Sequence, residues 1–594
     1  MCGICGELRL DGESADIAAV GRMTDALHRR GPDGSGVHAT GPLALGHRRL
    51  KIIDLTECGS QPMVDPEFGL TVVFNGCIYN YRELREQLLA VGYRFFSTSD
   101  TEVVLKAYHR WGTGCVERFL GMFAFAVAER DSGRLVLARD RLGVKPLYTT
   151  RNDGRLRFAS TLPALLAGGG VDTSLDPVAL HHYLSFHAVV PSPLTVLRGV
   201  RRLPPATVRA IEPDGRETDT VYWSPLHERD PGRADWSDAD WQQALLGSLR
   251  TAVDRRMVAD VGVGVLLSGG FDSSLIVALL AERGQPGLQT FSIGFEQVGD
   301  REGDEFRWSD IVAEQFGTDH QRIRIDSARL LPAVDAAVEA MHEPMTSHDV
   351  VAFYLLSQEV ARSVKVVQSG QGADEVLAGY DWYPPLVDVA PEEAAAAYAR
   401  VFTDRPHDVL SELLSPAWVL DADVSRAFVD DHFSAPGATT AVDKALRLDS
   451  TVMLVDDPVK RVDSMTMAFG LEARVPFLDH EFVELAAACP PGLKLAGGGK
   501  GVLKDAARPL LPADVIDRPK GYFPVPALQH LEGEVLDRVR AALTDPGARA
   551  RGLFRADRVA GMLDDPNAAR STIGPNTLWQ MGLLEMWLQS HHIG

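Results

Sequence analysis

Residues 261–280 read VGVGVLLSGGFDSSLIVALL. Val261 to Leu267 is a continuous apolar run of strand length, and Leu275 to Leu280 is an apolar run of helix type. Between them lies Ser268-Gly269-Gly270-Phe271-Asp272-Ser273-Ser274. A strand that feeds a glycine-rich loop and a buried helix, with another strand at Thr290 to Phe295, predicts a doubly wound parallel sheet. The loop has chemistry to match. Two glycines let the backbone curl around an anion, and Ser268, Ser273 and Ser274 supply hydroxyl donors. The following helix turns its N-terminus toward the same point. Asp272 can hold a Mg²⁺ that bridges phosphates. No Gly-Lys-Ser/Thr is present, so this is not a Walker loop. Taken alone, the loop also fits a plain tight turn.

The first ~210 residues have a different rhythm, that of short strands with few helices. Ile17, Val20, Met23 and Leu27 recur at helical spacing, which predicts a helix over 16–30. Leu70 to Phe74 is a β-rich run, and the following Asn75-Gly76 predicts a tight turn. Phe123 to Val127 and Leu135 to Ala138 read as strands separated by Asp131-Ser132-Gly133. This is an α+β domain over 2–210, rich in antiparallel sheet. Residues 211–240 carry Asp, Glu, Pro, Gly and Trp without sustained periodicity and read as a linker. The α/β domain then occupies 241–594, with an Ala-, Asp- and Pro-rich helical stretch at 386–440.

With 594 residues, 45% apolar and 24% charged, the chain has the composition of a globular protein of several domains. A net charge of −21 repels a phosphate backbone and argues against nucleic acid as a partner. No run of about 18 apolar residues points to a membrane span, and the N-terminus lacks the pattern of a signal peptide. Six scattered cysteines indicate a reducing, cytoplasmic setting rather than a disulfide framework. Cys2 and Cys5 form a CxxC, but no second pair completes a zinc set.

Cys2 becomes the first residue if Met1 is removed. Its thiol then lies beside an α-amine of pKa ~7.7–8.0, which is partly neutral near pH 7 and can act as general base. A thiolate attacking an amide creates an oxyanion that needs fixed donors, and Asn75-Gly76 can offer a side-chain amide and a backbone N–H. Arg49 can clamp a carboxylate, and Asp100 can pair with an ammonium. Singly, these residues fit a buried cysteine, a hairpin turn, a solvated arginine and a capping aspartate equally well.

Their order along the chain adds a resemblance. MCGI at 1–4, RGPD at 30–33, GHRRL at 46–50, FNGCIYN at 74–80, SDTE at 99–102, GMFAFA at 121–126 and ARDRLGVKPLY at 138–148 together resemble the glutaminase domain of class II glutamine amidotransferases. That resemblance implies an N-terminal-nucleophile αββα sandwich. It makes Cys2 the nucleophile and places Asn75 and Gly76 in the oxyanion hole, with Arg49, Asn75 and Asp100 binding glutamine. Cys77 stands where that family often has Glu. SGGFDSS is similar to the pyrophosphate loop of the ATP pyrophosphatases. GQGADE at 370–375, the stretch 455–480 and RPKGYFPVP at 518–526 are similar to asparagine synthetases.

The resemblance to the asparagine synthetase family covers nearly the whole chain. It implies ATP as a substrate cleaved to AMP and pyrophosphate, with Mg²⁺ held by Asp272 and Asp374. Ser268, Gly269, Gly270, Ser273, Ser274, Ser369 and Gly370 join the nucleotide pocket. Lys500 occupies the place of a catalytic lysine, and Glu343 that of a glutamate assisting ammonia attack. An internal ammonia tunnel is expected between the two sites.

The substrates implied are glutamine, ATP and a small carboxylate. Ser347-His348-Asp349 and Ala352 replace residues usual in aspartate-accepting members, and Gln368 stands where Leu or Thr is usual. These departures resemble the N-acetylglutaminylglutamine amidotransferase branch, with aspartate as the alternative acceptor. The different-class alternative is a non-catalytic binding or scaffold protein. Assembly is left open, a homodimer included.

Overall fold

The computed structural model describes residues 2–296, 303–519, 521, 528, 530–571 and 576–594. Two six-stranded antiparallel sheets build the amino-terminal domain. The first holds β1 (Gly3–Arg9), β2 (Gly34–Thr40), β3 (Leu43–Arg49), β8 (Tyr148–Asn152), β9 (Arg155–Ala159) and β10 (Arg201–Arg202), in the order β10-β8-β9-β1-β3-β2. The second holds β4 (Met63–Asp65), β5 (Leu70–Ile78), β6 (Gly121–Glu129), β7 (Leu135–Arg139), β11 (Thr207–Ile211) and β12 (Glu217–Val221), in the order β12-β11-β7-β6-β5-β4.

Alternation along the strands decides how these sheets stack. Ile4, Leu45 and Phe158 of the first sheet bury against Val73, Ala124 and Leu137 of the second. On the outer face of the first sheet, helix Ile17–Ala26 buries Val20 and Met23 against Cys5 and Ala44. On the outer face of the second, helix Asp100–Trp111 buries Val103, Val104 and Ala107 against Phe74, Phe123 and Phe125. The result is the expected helix–sheet–sheet–helix sandwich. Each fully buried aliphatic or aromatic side chain contributes about 1.5–3 kcal/mol relative to exposure.

Two sequence expectations fail here. Asn75-Gly76 is not a turn: β5 runs through it to Ile78, with Asn75 opposite Ala124 and Gly76 opposite Phe123. The long ladder with β6 overrides a local turn preference. Glycine is needed at 76 for close approach, since a Cβ there would lie 2.2 Å from the Met122 carbonyl oxygen. Within 211–240, Glu217–Val221 forms β12, paired with β11. It is a mostly exposed edge strand, and its polar composition mimics that of a linker.

The third sheet is parallel, in the order β15-β14-β13-β16-β17. Its strands are β13 (Val263–Leu266), β14 (Gln289–Phe295), β15 (Asp319–Ile325), β16 (Val366–Gln368) and β17 (Glu472–Arg474). β13 leads into helix Phe271–Glu282, whose Leu275 to Leu280 are buried all round, as a helix covering a parallel sheet requires. The 386–440 stretch contains helices Ala394–Phe402, His407–Leu413 and Val424–Ser434. Among the described residues no helix is long and apolar enough to cross a membrane.

The two domains are docked through buried charge. Arg30 Nη1 and Lys145 Nζ of the amino-terminal domain reach Asp463 Oδ2 and Oδ1 at 2.8 and 3.1 Å. Burial alone would raise the Asp463 carboxyl, but Arg30 and Lys145 reverse this and hold it below the usual carboxylate range. Its stabilising contribution is therefore complete above pH ~3.9 and is lost as pH falls through the lowered folded-state value. Asp463→Asn strands two buried cations. It should cost about 3–5 kcal/mol of docking, read by calorimetry at pH 7 as an earlier transition. The variant should also show a shallower loss of stability below pH 4 than the parent.

Candidate functional site

Cys2 lies immediately before β1, beside the middle of β5. Its backbone nitrogen donates to Asn75 Oδ1 at 3.1 Å, and its Sγ is 4.0 Å from the Leu50 carbonyl oxygen. That contact orients the Asn75 amide. Its Nδ2 is buried with no partner among the described residues, a donor available to an incoming oxygen. Burial pushes the Cys2 thiol up, against the lowering influence of Arg49. The thiol is therefore protonated near neutrality and needs a base before it can attack.

Arg49 closes β3. The loop after it fixes the guanidinium: Nη1 donates to the Thr56 carbonyl oxygen at 2.6 Å, and Nη2 to that of Asp54. Asp100 is the first residue of its helix, capped by Ser99, and accepts from the Ile78 N–H at 3.2 Å. Burial pushes its carboxyl up to about 7. Cys2, Arg49, Gly76 and Asp100 line one pocket, with Asn75 at its edge through the contact to Cys2.

A second cavity opens at the end of β13. Ser268, Gly270, Asp272, Ser273, Ser369, Gly370 and Asp374 line it. Gly269 has φ +71, and a Cβ there would meet the Ser309 nitrogen at 2.5 Å, so no other residue fits this bend. The Ser268 and Ser273 hydroxyls lie 3.1 Å apart, and Ser268 Oγ also accepts from the Gly270 N–H. Ser274 is buried in the helix and its hydroxyl has no partner among the described residues.

Lys500 reaches Asp272 Oδ2 at 2.6 Å and Asp374 Oδ1 at 2.9 Å, and both carboxylates raise its pKa. It caps helix Gly501–Ala507 in a left-handed conformation, φ +60, after Gly497, Gly498 and Gly499, all with positive φ. Strain of this kind in a non-glycine residue marks a side chain held for a purpose.

Glu343 is elsewhere. It does not line the second cavity but lies buried at the domain boundary. Its Oε1 accepts from the Tyr148 hydroxyl at 2.9 Å and is 3.3 Å from Arg202 Nη1, which also pairs with Asp456. Its Oε2 is buried without a partner among the described residues.

Sequence reasoning missed several neighbours. Arg518 clamps the glycine-rich loop, donating to the Gly269 carbonyl oxygen at 3.1 Å and pairing with Glu305 at 2.5 Å. Its position opening RPKGYFPVP was the available signal. Of that stretch Lys520 and residues 522–526 lie outside the described residues. Glu472, from β17, lines the Cys2 pocket, and no local pattern announces it.

Comparison with known proteins agrees with this geometry. Residues 244–589 match the Asparagine synthase family and residues 1–223 the Glutamine amidotransferase domain. The chain is 30% identical to asparagine synthetase (glutamine-hydrolyzing) 1 of Bacillus subtilis, over 99% of this chain and 96% of that protein. It is 31% identical to asparagine synthetase (glutamine-hydrolyzing) 3 of the same organism, over 88% and 87%. Amidase chyE of Penicillium rubens is 25% identical, over 96% and 97%.

Lys500 supplies the positive charge facing the serine–glycine loop. Lys500→Ala should weaken binding of a nucleoside triphosphate at least tenfold in a fluorescence titration, while Lys504→Ala, more exposed and off the pair, should shift it less than threefold.

Proposed function

The chain belongs to the asparagine synthase family and is a glutamine-hydrolysing carbon–nitrogen ligase, and on that premise we propose that it amidates N-acetylglutaminylglutamine through an acyl-adenylate. The observation that carries the reading is the pairing of a thiol pocket with a serine–glycine nucleotide pocket in one docked unit.

In the first pocket, removal of Met1 makes the Cys2 nitrogen, already 3.1 Å from Asn75 Oδ1, the α-amine that takes the thiol proton. The sulfur attacks the glutamine amide carbon, and Asn75 Nδ2 with the Gly76 N–H steadies the oxyanion. The C–N bond breaks, the amine's proton leaves with the ammonia, and water then releases glutamate from the thioester. Arg49 and Asp100 hold the glutamine carboxylate and ammonium.

In the second pocket, the acceptor carboxylate attacks the α-phosphorus of ATP and pyrophosphate departs. Ser268, Gly270, Ser273, Ser369 and Gly370 cradle the phosphates, Gly269 supplies the bend and buried Ser274 lies behind it, and Lys500 offsets the phosphate charge. Asp272 and Asp374 fit a Mg²⁺: two hard carboxylates converge on one cationic point, taken here by the Lys500 ammonium. When bound, Mg²⁺ supplies neutralising charge to the departing pyrophosphate. Ammonia then attacks the acyl carbon, AMP leaves, and the proton that nitrogen sheds passes to water; Glu343, expected from the sequence in this step, lies outside the cavity at the domain boundary.

The proposed transfer of neutral ammonia would cross an apolar seam. Leu50, Ile52, Leu142 and Val144 of the first domain pack in one cluster with Val459 and Val475 of the second. A charged ammonium would be disfavoured there.

Support for a dipeptide acceptor comes from a further pocket, beginning one residue past Asp374. Glu375, Tyr380, Trp382 and Asp449 line it and offer polar partners to an acceptor longer than aspartate. Aspartate is the second reading, favoured by the names of the Bacillus relatives.

Pyrophosphate release with glutamine, ATP and a panel of acceptors tests the proposal. N-acetylglutaminylglutamine should exceed aspartate by at least tenfold in kcat/KM, and the reverse order overturns the acceptor. Cys2→Ala should abolish glutamine-dependent amidation and leave synthesis from added ammonia; loss of both makes Cys2 structural. The purified protein's mass should lack Met1.

A further inference from the structure

The pocket around Cys2 is not built by the amino-terminal domain alone. Glu472 lines it, together with Cys2, Arg49 and Asp100, and Glu472 belongs to the parallel sheet of the other domain. Its strand is short but firmly held. Glu472 pairs with Val366 and Arg474 with Gln368, and the Ser369 N–H donates to the Arg474 carbonyl oxygen at 2.9 Å.

The side chain is equally fixed. Glu472 Oε1 accepts from Arg474 Nε at 2.6 Å. Arg474 Nη1 donates to the carbonyl oxygens of Arg256 and Val258, both at 2.8 Å, and Nη2 points to Cys77 Sγ at 3.7 Å. A carboxylate that is 1% exposed has thus been carried from one domain into the substrate pocket of the other.

Glutamine brings one carboxylate and one ammonium into this pocket. Arg49 is the one cation among the described lining residues, while Asp100 and Glu472 are two carboxylates. We propose that Glu472 is a glutamine-binding residue, meeting the substrate's α-ammonium together with Asp100. The inference rests on the glutaminase reading of Cys2.

Charge in the empty pocket is divided accordingly. Burial raises Asp100 to about 7, and the Glu472 charge adds to that rise. Burial acts on Glu472 too, but surrounding positive charge, Arg474 included, outweighs it and holds the carboxyl at about 2. Two carboxylates sharing a site separate in this way, so near neutrality the standing negative charge rests on Glu472. A glutamine ammonium then completes the pair and lets Asp100 ionise.

The test compares glutamine with its des-amino analogue, 4-carbamoylbutanoate, using the full-length protein. Glu472→Gln keeps the shape and removes the charge. Its kcat/KM for glutamine should fall about tenfold or more, mainly through KM, while that for the analogue changes less than twofold. Glu472→Asp, which restores the charge, should recover most of the preference for the amino-bearing substrate. Ammonia-dependent pyrophosphate release monitors folding in each variant. An equal loss on both substrates, or none on either, overturns the proposal. A parent protein inert toward glutamine would instead remove the glutaminase reading itself.

Discussion

Two cations of one domain share a single carboxylate of the other, and all three are out of water. The contacts of Arg30 and Lys145 with Asp463 hold the two pockets in one docked unit, on which any coupling between them depends. Buried ion pairs of this kind contribute little net stability against an apolar alternative. Their effect is on register: a slipped interface leaves charges unpaired at a cost of several kcal/mol, so one docking arrangement is selected. Arg202 repeats the device with Asp456 and Glu343. Asp456, Lys460 and Asp463 recur at helical spacing, so one face of a single helical stretch presents charge to the neighbouring domain.

The chain's strong negative charge makes the nucleotide cavity a problem of local electrostatics. Without substrate, Lys500 is paired with both Asp272 and Asp374. A triphosphate changes that balance. Its oxygens compete with the two carboxylates for the lysine, and the carboxylates are then left facing anions unless a divalent cation enters with the nucleotide. On the proposed reading, the charge balance of these three side chains favours a metal–nucleotide complex over bare nucleotide. The left-handed backbone of Lys500 keeps its ammonium at that point, so little reorganisation is needed when charge develops on phosphorus.

What the sequence made legible follows from where the determinants sit. The parallel sheet was readable from Val261 to Leu280 because strand, loop and helix are contiguous. Cys2, Arg49, Asp100 and the serine–glycine loop were readable because each lies in a short motif of fixed chemistry. Asn75-Gly76 misled as to structure, since turn propensity is local while β5 is decided by its whole ladder with β6. β12 was hidden because an exposed edge strand is polar. The placement of Glu472 in the Cys2 pocket, of Arg518 on the glycine-rich loop and of Asp463 between Arg30 and Lys145 could not be read locally, because what each meets there is hundreds of residues away and only the packed fold joins them. For Asp463 the usable hint was charge at helical spacing within 455–465, and for Arg518 its place opening RPKGYFPVP.

Thiol acidity does not explain which cysteine serves. Burial raises Cys2, Cys5, Cys77 and Cys115 alike, Cys5 to about 12, so none is a standing thiolate. Position separates them. Cys5 is tied to the Thr24 hydroxyl at 3.3 Å, and Cys77 faces the Arg474 guanidinium. Cys2 alone among them combines a cavity wall, an unpartnered amide donor one contact away and a backbone nitrogen that processing can turn into an amine. On the proposed reading, a neutral thiol whose base belongs to the same residue stays unreactive until a substrate sets an amide carbon against it. In a pocket that must not release ammonia idly, a latent nucleophile fits better than an ionised one.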